Sequence, residues 1–239
     1  MPKSFAVFDI DGTLIRWQLY HAVADALAKN GHINSDTYAK IRDARMRWKK
    51  RIGSQSFSDY QMYVIKAYED VLLSLNAKHL NEAVEDVFDE YKDQVYTYTR
   101  DYIKKLKKRG YSLFAISGSQ TEIIKKITDY YGFDDYAATE YIVIKRKLRK
   151  IFPSEDKKKA LNDLVARNNV SFRGSIGVGD SAGDIPMLEM VEMPIAFNPE
   201  KSLFDYASKR RWRLVVERKN VVYQLNMTNN KYELAKTDH

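Results

Sequence analysis

The sequence predicts an α/β protein: a doubly wound, mostly parallel sheet with a block of helices inserted after its first strand. Three observations lead there. From about residue 99 onward, short apolar runs ending in polar turns alternate with helical periodicities. Residues 16 to about 95 carry almost no strand signal. Asp9, Ser117 and Asp180 each fall at the carboxyl end of a predicted strand, the edge where such sheets bind their ligands.

The first strand is the apolar run Phe5-Ala6-Val7-Phe8, closed by Asp9-Ile10-Asp11-Gly12-Thr13. Trp17, Tyr20, Val23, Ala24 and Leu27 then recur at helical spacing until Gly31. Asn34-Ser35-Asp36 offers an N-cap for a second helix carrying Tyr38, Ile41 and Trp48 and ending near Gly53. Ser56 or Ser58 caps a third helix with Tyr60, Val64, Ala67, Val71 and Leu72, and a fourth runs from about Leu80 to Val95. A fifth helix stops at Gly110 before the strand Tyr111–Ile116, and Ser119-Gln120-Thr121-Glu122 reads as a capping box opening the next helix. Tyr141–Ile144 and the basic stretch Lys145–Lys150 suggest a hairpin. A helix from about Ser154 to Asn168 precedes the strand Ser175–Gly179, and strands at about 193–197 and 212–216 flank a short helix. From about Met227 the chain is polar and aperiodic, the pattern of a flexible tail over 226–239.

Composition narrows the chemistry. The chain has 239 residues, 44% hydrophobic and 30% charged, enough to bury a sizeable core. It has no cysteine, so disulfides and thiolate chemistry are excluded, and its four histidines are too scattered for a zinc site. No apolar run approaches the ~20 residues of a membrane span. With no signal-like segment before Asp9, a cytoplasmic setting and no membrane partner are expected. The net charge of +8 is spread along helical stretches rather than concentrated in a patch, which argues against nucleic acid as a partner.

On an extended backbone residues i and i+2 share a face, so Asp9 and Asp11 converge on one small volume. Two carboxylates that close repel unless a cation or a shared proton offsets them. The pair therefore points to a hard divalent cation, acid/base chemistry, or both. The bland alternative is a polar strand end leading into a turn. Gly177-Val178-Gly179 is not a dinucleotide fingerprint, because Gly183 falls one residue too late.

Four motifs in order resemble the haloacid dehalogenase superfamily, specifically its phosphoserine-phosphatase-like branch with a helical cap. They are Asp9-Ile10-Asp11-Gly12-Thr13, Ser117-Gly118-Ser119, a lysine within Asp156-Lys157-Lys158-Lys159-Ala160-Leu161, and Gly179-Asp180-Ser181-Ala182-Gly183-Asp184. The resemblance covers about residues 4 to 216. It implies a Rossmann-like catalytic core over 1–15 and 97–225 and a cap over 16–96. It further implies a Mg²⁺-dependent phosphomonoester hydrolase acting on a small phosphorylated metabolite. Asp9 would be the nucleophile that forms an aspartyl-phosphate, and Asp11 the general acid and base. Mg²⁺ would be held by the Asp9 carboxylate, the Asp11 carbonyl and Asp180, with Asp184 ordering bound water. Thr13, Ser117, Gly118 and Gln18 would contact the substrate, Ser117 by a hydrogen bond to phosphate. Lys157 stands 23 residues before Asp180, in the family register, with Lys158 the alternative.

Three departures argue against phosphoserine as the substrate. Gln18 stands where a glutamate would meet the amino group, Gly183 replaces an asparagine, and Phe57–Val64 lacks the arginine that pairs with the carboxylate. Arg42, Arg45, Arg47 and Arg51, read onto the second helix, are candidates for a second anionic group on the substrate, or else a solvated face. Two further readings keep the fold but change the function: phosphoryl transfer to an acceptor alcohol, and a non-catalytic binding module, with nucleic acid as its partner. Oligomeric state is not readable from the sequence.

Overall fold

The computed structural model describes residues 3–53, 56–145, 147–151 and 156–238. Its centre is a nine-stranded sheet ordered β4-β3-β2-β1-β5-β6-β7-β8-β9. β1 (Ser4–Phe8) lies between β2 (Ser112–Gln120) and β5 (Ser171–Gly179), parallel to both. Parallel pairing continues outward to β3 (Asp135–Ile144) on one side. On the other it reaches β6 (Met193–Phe197) and β7 (Arg213–Arg218). Antiparallel strands finish both edges: β4 (Lys147–Ile151) at one, β8 (Val221–Thr228) and β9 (Lys231–Asp238) at the other.

Side-chain alternation along β1 divides the core in two. Ala6 and Phe8 face a cluster that includes Ile103 and Leu106 of α5 (Thr97–Lys108) and Ile123, Ile124 and Ile127 of α6 (Thr121–Tyr131). Phe5 and Val7 face α7 (Lys157–Asn168), α8 (Ile185–Leu188) and α9 (Lys201–Arg210). Helices thus cover both faces, which suits strands that are apolar on both sides.

Between β1 and α5 the chain forms α1 (Leu19–Lys29), α2 (Ser35–Lys49), α3 (Ser56–Leu72) and α4 (Ala77–Tyr91). Asn34 caps α2 by accepting from the Thr37 N–H, and Asn76 does the same for Lys78 at α4, each contributing about 1 kcal/mol. The apolar faces of all four helices join the core cluster on the Phe8 side of the sheet.

Several expectations are corrected. Residues 226–238 are not a tail: β8 and β9 pair as an antiparallel hairpin that extends the sheet beyond β7. Polar composition hid it, because β9 is largely exposed and needs no alternating apolar face. β2 does not stop at Ile116 but carries through Ser117, Gly118 and Ser119 to Gln120. The capping box at Ser119 does not form; Gln120 is the N-cap of α6 without a side-chain bond, and Ser119 Oγ instead accepts from the Tyr20 N–H. α4 ends at Tyr91, and Val95 pairs with Ile15 in an isolated bridge. Arg51 lies beyond α2 rather than on it, and the predicted helix start at Ser154 falls outside the described residues.

Candidate functional site

The carboxyl ends of β1, β2 and β5 adjoin in the sheet, so the sequence-distant Asp9, Ser117 and Asp180 meet there. Gly12 makes the turn after β1. Its φ of +86° is left-handed, and a Cβ there would stand 2.3 Å from Asp180 Oδ2. Only glycine lets these two loops approach.

Lys157, the first residue of α7, is buried, and its ammonium ties the acidic groups together. Nζ lies 2.7 Å from Asp9 Oδ1, 2.6 Å from Asp184 Oδ1 and 3.1 Å from the Ile116 carbonyl. Burial works against its charge, but Asp184 and Asp9 override that and hold the ammonium above its ordinary pKa. Lys158, the alternative, is exposed, and it is Lys157 that reaches the carboxylates.

Asp184 is saturated by protein donors: Lys157 on Oδ1, and the N–H groups of Asp180 and Ser181 with the Ser181 hydroxyl on Oδ2. Asp11 Oδ2 accepts from Ser117 Oγ at 2.7 Å, and Oδ1 from the Leu19 N–H at 2.6 Å. Burial pushes the Asp11 carboxyl upward, and those donors hold it partly back. Ser117 is fully buried and spends its hydroxyl on Asp11 while accepting from the Ser119 N–H. Thr13, also buried, donates to Asp180 Oδ1 at 3.3 Å. Neither hydroxyl lines the open cavity, whereas Gly118, Gln18, Asp9, Asp11 and Asp180 do.

One carboxylate oxygen from each of Asp9, Asp180 and Asp184 lies within 4.8 Å of the others. Burial, Asp184 and Asp11 push Asp9 up to about 7 against the pull of Lys157. Asp180 is raised well above the usual range by burial and by Asp9 and Asp184. One ammonium does not neutralise this set, and the all-oxygen donors of Asp9 and Asp180 fit a hard divalent cation such as Mg²⁺. Asp184, with its oxygens taken, supports the loop that presents Asp180.

A cavity of about 590 Å³ rises from these carboxylates. Its far wall was not foreseen: Tyr20, His21, Trp48, Phe57 and Ile65 from α1–α3, with Tyr141 and Lys150 from the β3–β4 hairpin. Tyr20 and Trp48 read as helix-face core residues, and no local motif distinguishes them. The four arginines do not join it. Arg45 is fastened to both oxygens of Asp25 and to the Tyr60 hydroxyl; Arg42, Arg47 and Arg51 are exposed. Among the described residues, no helix is long and apolar enough to cross a membrane.

The chain is 25% identical over 222 residues to the inhibition of morphological differentiation protein of Streptomyces azureus, covering 90% of this chain and 79% of that one. It is 24% identical to phosphoserine phosphatase SerB2 of Mycobacterium tuberculosis and 23% to phosphoserine phosphatase of Archaeoglobus fulgidus. These matches cover 98% and 86% of this chain but only 53% and 55% of the two relatives, about half their length. The fold matches a protein of unknown function from Bordetella pertussis Tohama I with a TM-score of 0.71 at 20% identity, covering 90% of this chain and 98% of the other. It also matches a phospho-aspartyl intermediate analogue of phosphoserine phosphatase (TM-score 0.58, 21% identity, 92% and 95% coverage). The haloacid dehalogenase-like hydrolase model matches residues 6–189, from β1 past the Asp180–Asp184 turn, and the chain belongs to that family.

Proposed function

We propose that the protein is a Mg²⁺-dependent phosphomonoester hydrolase that works through an aspartyl-phosphate on Asp9. The observation that carries this reading is the placement of Asp9, at the mouth of β1, between the Lys157 ammonium and the Asp180 carboxylate. A carboxylate needs no base to become a nucleophile, and Lys157 holds this one in a fixed orientation.

An Asp9 oxygen attacks phosphorus as the bond to the leaving alcohol breaks. Asp11, protonated at that stage, gives its proton to the departing oxygen. Water then attacks phosphorus, Asp11 takes the proton it loses, and the Asp9–phosphorus bond breaks to release inorganic phosphate. Burial that raises the Asp11 pKa favours the proton-carrying state the first step needs. Mg²⁺, held by the Asp9 and Asp180 carboxylates and the Asp11 carbonyl, would neutralise charge on the phosphoryl oxygens. Gly118 and Gln18 contact the substrate from the cavity wall, while Thr13 and Ser117 position Asp180 and Asp11. Within this scheme residues 16–96 act as a cap over the core.

The purified protein should hydrolyse p-nitrophenyl phosphate in the presence of Mg²⁺, and Asp9→Asn should abolish turnover. Undiminished turnover by Asp9→Asn would overturn the mechanism.

A further inference from the structure

The two walls of the cavity differ in chemistry. The strand-end loops supply its carboxylates and the start of α7 supplies Lys157; the opposite wall, from α1–α3 and the β3–β4 hairpin, is built mainly of rings. Those rings hold one another in place. Trp48 stacks on Tyr60 at 5.5 Å between centroids and meets Phe57 at 5.0 Å. Tyr20 and Tyr141 both pack on the buried Tyr68, at 5.3 and 5.4 Å. A wall already ordered in this way loses little freedom when a ligand binds.

The polar groups on this wall are mainly neutral. Gln18 and Gln61 offer amides, and the buried His21 offers an imidazole whose Nδ1 has no hydrogen-bond partner among the described residues. Burial first, and Arg45 nearby, hold that imidazole uncharged. Lys150 lies 3.2 Å from the Glu69 carboxylate and over the Tyr141 ring at 5.6 Å from its centroid. Arg45, on the same helix as Trp48, is bound to Asp25.

We propose that this wall receives the leaving group of a phosphomonoester whose alcohol is uncharged and carries a planar aromatic or heteroaromatic ring. The inference rests on the hydrolase reading for the phosphate end of the site and adds the class of substrate. An amino-acid leaving group would lose hydration from an ammonium and a carboxylate, while the charged residues bordering the cavity beyond the carboxylate cluster, Lys150 and Glu200, are already engaged by Glu69 and by the Ala182 N–H. A ring gains offset or edge contacts with Trp48, Phe57 and the tyrosines. Aromatic walls also bind quaternary ammonium groups, but here the Tyr141 face already carries the Lys150 ammonium. A cavity of about 590 Å³ holds far more than a three-carbon alcohol.

The test compares four esters with alkyl leaving oxygens: 2-phenylethyl phosphate, phosphoserine, phosphocholine and glycerol 2-phosphate. The expected kcat/KM for the phenylethyl ester exceeds each of the others at least tenfold. Trp48→Leu and Phe57→Leu, which keep apolar bulk but remove the ring, should cut that preference below threefold. Phosphoserine or phosphocholine ranking first, or a preference indifferent to both substitutions, overturns the proposal. Calorimetric binding of the same esters to Asp9→Asn separates the two readings. Tightest binding of the phenylethyl ester with no turnover of any ester by the unmodified protein would sink the hydrolase and keep the ring site. Phosphoserine binding as tightly as the phenylethyl ester would sink the ring site alone.

Discussion

The Leu19 N–H donates to Asp11 Oδ1 at 2.6 Å, so the first residue of α1 is fastened to the carboxylate that moves protons in the proposed reaction. The other Asp11 oxygen is held by Ser117 on β2. The helical block and the reaction centre therefore meet at Asp11, and displacing α1 takes away the bond to Oδ1 while leaving that from Ser117.

Asp11→Asn keeps an oxygen for the Leu19 N–H but cannot donate or accept the reaction's proton. p-Nitrophenolate leaves without an acid, so Asp9 should still be phosphorylated, while release by water loses its base. Stopped-flow absorbance should show one equivalent of p-nitrophenol per enzyme, followed by steady turnover slowed about 10²–10⁴-fold. A slow linear trace with no burst would remove Asp11 from the second step.

Lys157→Met strips the buried carboxylates of their ammonium. Removing one partner of a buried ion pair costs about 3–5 kcal/mol because the other charges stay behind. The unfolding free energy from urea titration without metal should fall by that much, and Asp9→Asn in the same chain should recover part of the loss. An unfolding free energy within about 1 kcal/mol of the unmodified protein, on the scale of an exposed pair, would contradict the burial of this contact.

The reaction centre was legible because its residues sit at strand ends, where apolar runs stop in Asp, Ser or Gly. Asp9, Asp180 and Lys157 converge as expected. Ser117 and Thr13 also lie there, but facing Asp11 and Asp180, a choice of hydrogen-bond partner that spacing does not encode. The ring wall was hidden for a different reason. Tyr20, Trp48 and Phe57 have the helical spacing of core residues, and only packing decides that they border open space. The β8–β9 hairpin escaped because an exposed antiparallel strand needs no apolar periodicity.

His21 predicts an acid-side loss of stability. Burial first, then Arg45, lowers its pKa from 6.5 to about 3. Between those values the unfolded chain binds a proton that the folded chain excludes, so stability falls as pH drops below about 6.5. His21→Phe retains a ring beside Tyr60, 4.5 Å away in the native packing, and cannot titrate. At pH 5 the unmodified protein should lose up to about 2 kcal/mol relative to pH 7.5 that the variant keeps. Equal urea-midpoint shifts in the two proteins would show that His21 does not carry the effect.

Gly12→Ala tests how the loops hold a cation, because it acts on Asp180 without changing any carboxylate. At a φ of +86° an L-residue is strained by about 1–2 kcal/mol, and its Cβ would occupy the space of Asp180 Oδ2. Asp180 must turn away, weakening its bond from Thr13 and separating it from Asp9. Metal-free stability then reflects two opposed terms: backbone strain lowers it, while relief of the Asp9–Asp180 repulsion raises it. Binding of Mg²⁺ has no such compensation. Thermal shifts across a Mg²⁺ titration should give a half-saturating concentration at least tenfold higher than for the unmodified protein, while metal-free Tm moves by only a few degrees. Unchanged Mg²⁺ affinity would mean that Asp180 can hold the ion from its displaced position, and that the close approach at Gly12 serves only the turn.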